Sequence, residues 1–298
     1  MSTQVASRPS RSATPVPKDF ASLIKTGGSN LPNRYALHAV EGWGKTSLAA
    51  QFPSPLFLQS KGETGLETLI QNGQLPETPH LPEIETWQDF LNTLDWLRSA
   101  DHSFKTLICD SMNGFERLCH EEVCNRDFQG DWTDKGFMGY MRGYQISMTD
   151  WRAALNKLDA IRLEKRMTIF LLFHTKVTTF KNPEGPDFDR YQPDMHTGTW
   201  SLTAKWADCV LFGNFEAQVI GGALGSDAKQ GKDARKGKGI GGNIRMLYTE
   251  RHAAYDAKNR LGLPNEIEMG DSPQSAFQSF VEAIKSGRQL IAETGATQ

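Results

Sequence analysis

Residue types that could hold a phosphate cluster in one short stretch, "HAVEGWGKTSLAA", His38 to Ala50. Gly42 and Gly44 can adopt backbone conformations that turn successive N–H groups inward, and such a nest binds anions. Lys45 supplies a cation for the terminal phosphates and Thr46 a hydroxyl for magnesium, following the GxxxxGK[ST] pattern. Glu41, Trp43 and Ser47 complete the expected nucleotide-contacting set. Two positions depart from the pattern: Ala39 replaces the usual first glycine, and Trp43 stands where such loops are small. Ala39 is expected to end a buried strand, where a small side chain suffices. Trp43 is expected to turn its ring outward, over the nucleotide or toward a neighbouring subunit. The ligands this predicts are ATP and Mg2+.

Further groups fit the same chemistry. "TLICDS" buries the apolar Leu107, Ile108 and Cys109 and then presents Asp110, a carboxylate that can hold a magnesium ion and its water shell. Hydrolysis needs a group that orients the attacking water. Glu63 in "LQSKGETGLETL" is the first candidate and Glu67 the second, although Lys61 and Gly62 intervene between strand and Glu63. His174 ends "MTIFLLFHT" and is a candidate γ-phosphate sensor. Lys258 and Arg260 lie two apart in "DAKNRLGLP"; in an extended segment both project to one side and suit a charge clamp on phosphate.

These residues need elements to position them. "RYALHAV" is a short apolar run before the glycine loop, hence a buried strand, and "KTSLAAQF" reads as the helix after it. "SPLFLQ", "KTLICD" and "MTIFLLFH" are further buried strands. "TWQDFLNTLDWLRSA" has apolar residues at helical spacing with Thr86 as N-cap, and "TDWRAALNKLDAIRLEKR" is amphipathic. "DCVLFGNFEAQVI" and "IRMLYTERHAAYD" read as a strand pair around a long loop. A closing helix is expected at about 272–286, with Pro273 in its first turn and Gly287 just past its end. Continuous apolar strands alternating with helices imply an α/β fold with a mostly parallel central sheet covered on both faces, plus a C-terminal antiparallel pair.

Composition bounds the function. The chain has 298 residues, 38% hydrophobic and 23% charged, with a net charge of −2, which argues against a wholly basic nucleic-acid coat. No apolar run is long enough to cross a bilayer and no apolar leader is visible, so no membrane partner and a cytoplasmic location are expected. Cys119 and Cys124 flank His120, but no second ligand pair follows, and helix-face cysteines are the plainer reading. Residues 1–20 read as a disordered basic tail, 21–290 as one core and 291–298 as a second tail. The loop 221–242 carries Lys229, Lys232, Arg235, Lys236 and Lys238 against Asp227 and Asp233, and its glycines imply flexibility.

Taken together, "EGWGKTSLA", "PLFLQSKGETGL", "KTLICDS", "IFLLFHTKV", "WADCVLF" and "YDAKNRLGLP" resemble the RecA-like ATPase family, over about Tyr35 to Pro264. The resemblance is closer to the phage Sak-type single-strand annealing proteins with a RecA core. It implies a RecA-like P-loop core and a slow or DNA-stimulated, Mg-dependent ATPase. It also implies a filament or ring of identical subunits with ATP at each interface, and carries the role of interface cations onto Lys258 and Arg260. Single-stranded DNA is the implied partner, in phage-type recombination or annealing in a host cytoplasm, with a single-strand-binding protein as a further candidate. By position, the implied DNA loops are 126–145 and 175–200. They offer Arg126, Lys135, Tyr140 and Arg142, then Lys176, Lys181 and Arg190, with Phe137 and Trp200 nearby; Lys236 adds the basic loop. Cations interleaved with aromatics suit single strands, though the loops also carry several Asp residues and the aromatics could pack on their own domain. Two other readings share the core: a helicase-like motor, and a nucleotide-switched interaction protein without nucleic acid.

Overall fold

The computed structural model describes residues 24, 30–220 and 238–295. Contacts divide the chain into Met1–Asn30 and Leu31–Gln298, and every described helix and strand lies in the second unit. The expected basic tail and Lys236 fall outside the described residues.

The strands are β1 (Arg34–Ala39), β2 (Pro55–Gln59), β3 (Thr106–Asp110), β4 (Thr168–Phe180), β5 (Phe188–Pro193), β6 (Cys209–Ile220), β7 (Lys238–Tyr248), β8 (Lys258–Asn259) and β9 (Glu266–Glu268). The helices are α1 (Lys45–Ala49), α2 (Gly65–Gln71), α3 (Trp87–Ser99), α4 (Met112–Phe128), α5 (Arg142–Glu164), α6 (Thr197–Trp206) and α7 (Pro273–Gly295). The sheet runs β2-β3-β4-β1-β6-β7-β9. Its first five strands pair in parallel; β7, β8 and β9 join antiparallel. This is the expected α/β class, a mostly parallel central sheet flanked by helices with an antiparallel C-terminal flank.

Strand periodicity sorts the core into two layers. Leu107, Cys109, Ile169, Leu171 and Phe173 pack beneath the layer that includes α3, α4 and α5. Leu37, Ile108, Phe170 and Leu172 face the other way, toward Leu48 of α1 and Phe280 of α7. Successive strand residues point to opposite faces, so Asp110 shares the face of Ile108, the face that α1 covers.

Several boundaries differ from the expectations. Helix α1 is only five residues long and stops at Ala49. Helix α7 runs through Gly287 to Gly295, past the expected end and into the expected second tail. Gly287 is a packing residue: a Cβ there would lie 2.5 Å from the carbonyl oxygen of Gly262. Thr86 does cap α3, accepting from the Asp89 N–H at 3.1 Å.

Of the two segments expected as loops, 175–200 is largely regular. Strand β4 continues past His174 and pairs antiparallel with β5, and α6 follows. The other segment joins the end of α4 to the start of α5 through non-helical turns over 129–138 and a single 3-10 turn at Gly139–Met141. Phe137 and Trp200 are buried, so these aromatics serve the domain's own packing.

Candidate functional site

The phosphate loop follows β1 and enters α1. Gly42 and Gly44 have φ of 72° and 100°, a left-handed backbone that favours glycine. An added Cβ at either would meet nothing within 4 Å, so their faces border open space. Gly44 is the N-cap of α1, and Lys45 opens the helix with its ammonium 3.3 Å from the Ala39 carbonyl oxygen. Burial pushes the Lys45 ammonium pKa down, while Asp110, Glu63 and Glu41 pull it back up. Glu41 and Gly42 are exposed at the loop's crest; Thr46 and Ser47 are half-buried. With so short a helix, the backbone nest must supply most of the attraction for anions.

Thr46 donates its hydroxyl to the Asp110 carboxylate at 2.7 Å. Asp110 is buried, and burial first, then the Glu63 charge, pushes its pKa up to about 6. A carboxylate so disfavoured, beside a hydroxyl and an open backbone nest, is what a divalent cation would relieve. The donor set therefore fits Mg2+ held by Thr46 and Asp110, with phosphate on the nest and Lys45.

Glu63 and His174 meet on this rim, with Oε2 and Nε2 3.1 Å apart. The hydrogen bond from His174 leads the causes that lower the Glu63 pKa, and the same bond raises that of His174. The turn after β2 makes this contact possible. Gly62, at φ 84°, reverses the chain, Glu63 N–H donates to the Ser60 carbonyl at 3.0 Å, and Gln59 holds the Glu63 carbonyl at 2.7 Å. Lys61 and Gly62 thus form the turn that returns Glu63 to the rim. Glu67 instead faces His80, 3.7 Å away.

Trp43 overturns the outward expectation. It is 2% exposed, and its indole N–H lies 3.2 Å from the Asn214 carbonyl and 3.1 Å from the Met246 carbonyl. Its ring covers Gly213, where a Cβ would come within 2.6 Å of it. Trp43 therefore ties the phosphate loop to β6 and β7 within the subunit and leaves no ring surface for a nucleotide or neighbour.

Lys258 and Arg260 do not form a matched pair of outward cations. Lys258 donates to the carbonyls of Ala204, Lys205 and Ala207, so its ammonium caps the C-terminus of α6. Arg260 is exposed.

The candidate DNA cations are mostly neutralised. Arg126 pairs with Asp127 and Asp150, Lys176 with Asp194, Lys181 with Asp187 and Arg190 with Asp256. Arg190 is also 6% exposed, too buried to reach a strand from this position. Arg142 donates to the carbonyls of Gly139 and Lys135 and lies over Phe128. Lys135 and Tyr140 stay exposed, Tyr140 almost fully.

One site residue escaped the sequence reading. Asn113, a helical residue just past Asp110, accepts the His174 backbone N–H at 2.8 Å and donates to the Asp194 carbonyl at 2.5 Å. Its place three residues after the carboxylate was the only available signal.

No curated protein matches the chain. A solved structure titled "Crystal structure of the RadB recombinase" is similar at a TM-score of 0.42 and 12% identity, over 85% of this chain and 94% of that one. The family described as an AAA domain matches residues 31–261. That span holds the phosphate loop, Asp110, Glu63 and His174, and the chain belongs to this AAA domain family of P-loop proteins.

Proposed function

We propose that the chain binds ATP with Mg2+ at Gly42–Ser47 and Asp110 and hydrolyses it. The observation that carries this reading is the joint placement of the Thr46–Asp110 hydrogen bond and the Glu63–His174 contact on one rim. Bound magnesium would neutralise charge between the phosphates. Lys45 holds the terminal phosphate, Glu63 orients the attacking water, and His174 fixes the Glu63 carboxylate while sensing the phosphate. Arg260 acts on ATP of a neighbouring subunit in a homo-oligomer. The ATP-bound oligomer binds single-stranded DNA and acts in recombination or annealing of the phage type; this part rests on the family resemblance and on the exposed Lys135 and Tyr140.

The pairing of Arg126, Lys176, Lys181 and Arg190 with aspartates favours a second reading, a nucleotide-switched interaction protein without nucleic acid. ATPase activity with and without single-stranded DNA, measured together with oligomer size, separates the two. Stimulation and assembly on DNA support the first; hydrolysis indifferent to DNA supports the second. Lys45→Ala should abolish nucleotide binding, and unchanged ATP affinity in that variant would remove the site assignment.

A further inference from the structure

An open cleft of about 500 Å³ lies apart from the phosphate loop, lined by residues of α4, the start of α5, Lys176 of β4 and the Asp194–His196 segment. We infer that this cleft is a second ligand site, shaped to take one unstacked guanine base by its Watson–Crick edge.

Three observations carry the inference. The first is a buried carboxylate. Glu116 is 6% exposed and no Lys or Arg pairs with it among the described residues; both its oxygens accept the His196 backbone N–H, at 3.2 and 3.1 Å. Each oxygen keeps lone-pair capacity for another donor. The second is a pair of buried imidazole atoms, His120 Nε2 and His196 Nδ1, without hydrogen-bond partners. His120 Nε2 stands 4.0 Å from the Glu116 carboxylate, too far for a direct bond. Orphaned polar atoms around one cleft call for a polar occupant. The third is the apolar lining: Tyr144 stacks on His196 at 4.6 Å, and Met138 and Met141 border the opening, roughly half exposed. Thioethers and aromatic rings accept a flat base with little directional demand.

The polar pattern selects among bases. Guanine presents two adjacent donors, N1–H and the N2 amine, to one carboxylate. Adenine and cytosine offer one amine beside an acceptor, and thymine one N–H between two carbonyls. Burial holds both imidazoles toward their neutral form, so His120, beside Glu116, can donate an N–H to guanine O6; burial also raises the Glu116 carboxyl to about 7, so its two-donor contact needs a pH above that value. Tyr140 and Met141, at φ 49° and 59°, hold non-glycine residues in the left-handed region beside the opening, the kind of strain found near binding sites.

The base could come from a free nucleoside or from a strand, and two arms separate these sources. In one, guanosine is titrated calorimetrically into the full chain with the phosphate loop filled by Mg-ADP. In the other, labelled oligothymidylate of about 12 nucleotides, with or without one central guanine, is followed by anisotropy. The expected result is saturable guanosine binding about tenfold tighter than adenosine or cytidine, or a central guanine that tightens the oligonucleotide about tenfold. The readout in variants is that ratio. Glu116→Gln keeps an acceptor for the His196 N–H and should bring the ratio near one. His120→Asn, which leaves the α6 cap untouched, should lower it too. No guanosine binding together with a guanine-indifferent oligonucleotide overturns the inference, as does an unchanged ratio in both folded variants. Failure of plain oligothymidylate to bind removes the single-strand reading instead, while the guanosine arm still decides the cleft.

Discussion

Asp110 shows how a functional group can oppose stability. Its pKa stands at about 6 against an ordinary 3.8, so the folded chain disfavours its charge by about 3 kcal/mol. For a carboxyl raised in this way, the cost is absent below the unfolded value and complete above the folded one. Asp110→Asn should therefore raise the melting temperature at pH 8 without nucleotide, leave it nearly unchanged at pH 4, and lose Mg-dependent ATP turnover. A variant less stable than wild type at pH 8 would refute this. Glu63 and His174 behave oppositely. A raised His174 contributes stability that is complete below its unfolded pKa and lost as pH rises through the folded one. A lowered Glu63 contributes stability present above its unfolded pKa and lost as pH falls through the folded one. The pair is thus charged between those limits, in the mildly acidic range. The His174 ring resonance should titrate above the ordinary histidine value and fall toward it in Glu63→Gln; an unchanged midpoint would sever the pair.

At the scale of elements, the phosphate loop depends on the β6–β7 ladder through Trp43. Gly213 exists in β6 because the indole occupies the space above it. Gly213→Ala should destabilise the fold by about 1–3 kcal/mol, because overpacking forces the ring or strand to shift. The same change in a Trp43→Leu background should cost less, and a double-mutant cycle on denaturant midpoints measures the difference. Additive effects would mean that the ring and Gly213 are not coupled. Helix α6 is fixed at both ends by distant residues, by Glu116 at its N-cap His196 and by Lys258 at its last carbonyls. Asn113 ties the α4 start to both His174 and Asp194, so the rim and the β5–α6 connection share one helix.

For the whole molecule, the proposal demands that a complete ATP site use a second subunit. Arg260 supplies the test. Lys45→Ala destroys a site but keeps Arg260, while Arg260→Ala keeps the phosphate loop and loses the cation. Each alone should show little ATPase activity, and an equimolar mixture should recover roughly a quarter of wild-type turnover if the cation acts across subunits. A mixture no more active than its parts would place Arg260 outside the reaction or within its own subunit.

Much of this chemistry was legible in one dimension because local chemistry dictated it. Glycines, Lys45 and Thr46 sit contiguously between strand and helix, and a run of apolar residues ending in Asp110 can only be a buried strand with its acid at the end. The two-residue strand period then placed Asp110 on the α1 face. The inward place of Trp43 is not legible locally, because its partners, the carbonyls of Asn214 and Met246, lie far along the chain. The ion pairing of the expected DNA cations is hidden for a related reason: a Lys or Arg looks available until a distant Asp is folded against it. Arg190 meets Asp256, and Arg126 meets Asp150, only through tertiary structure. Composition and local pattern decided the class, the phosphate loop and the Thr46–Asp110 pair. Long-range packing decided which charges remain exposed, where Glu63 turns back, and that Glu116, His120 and His196 share one cleft.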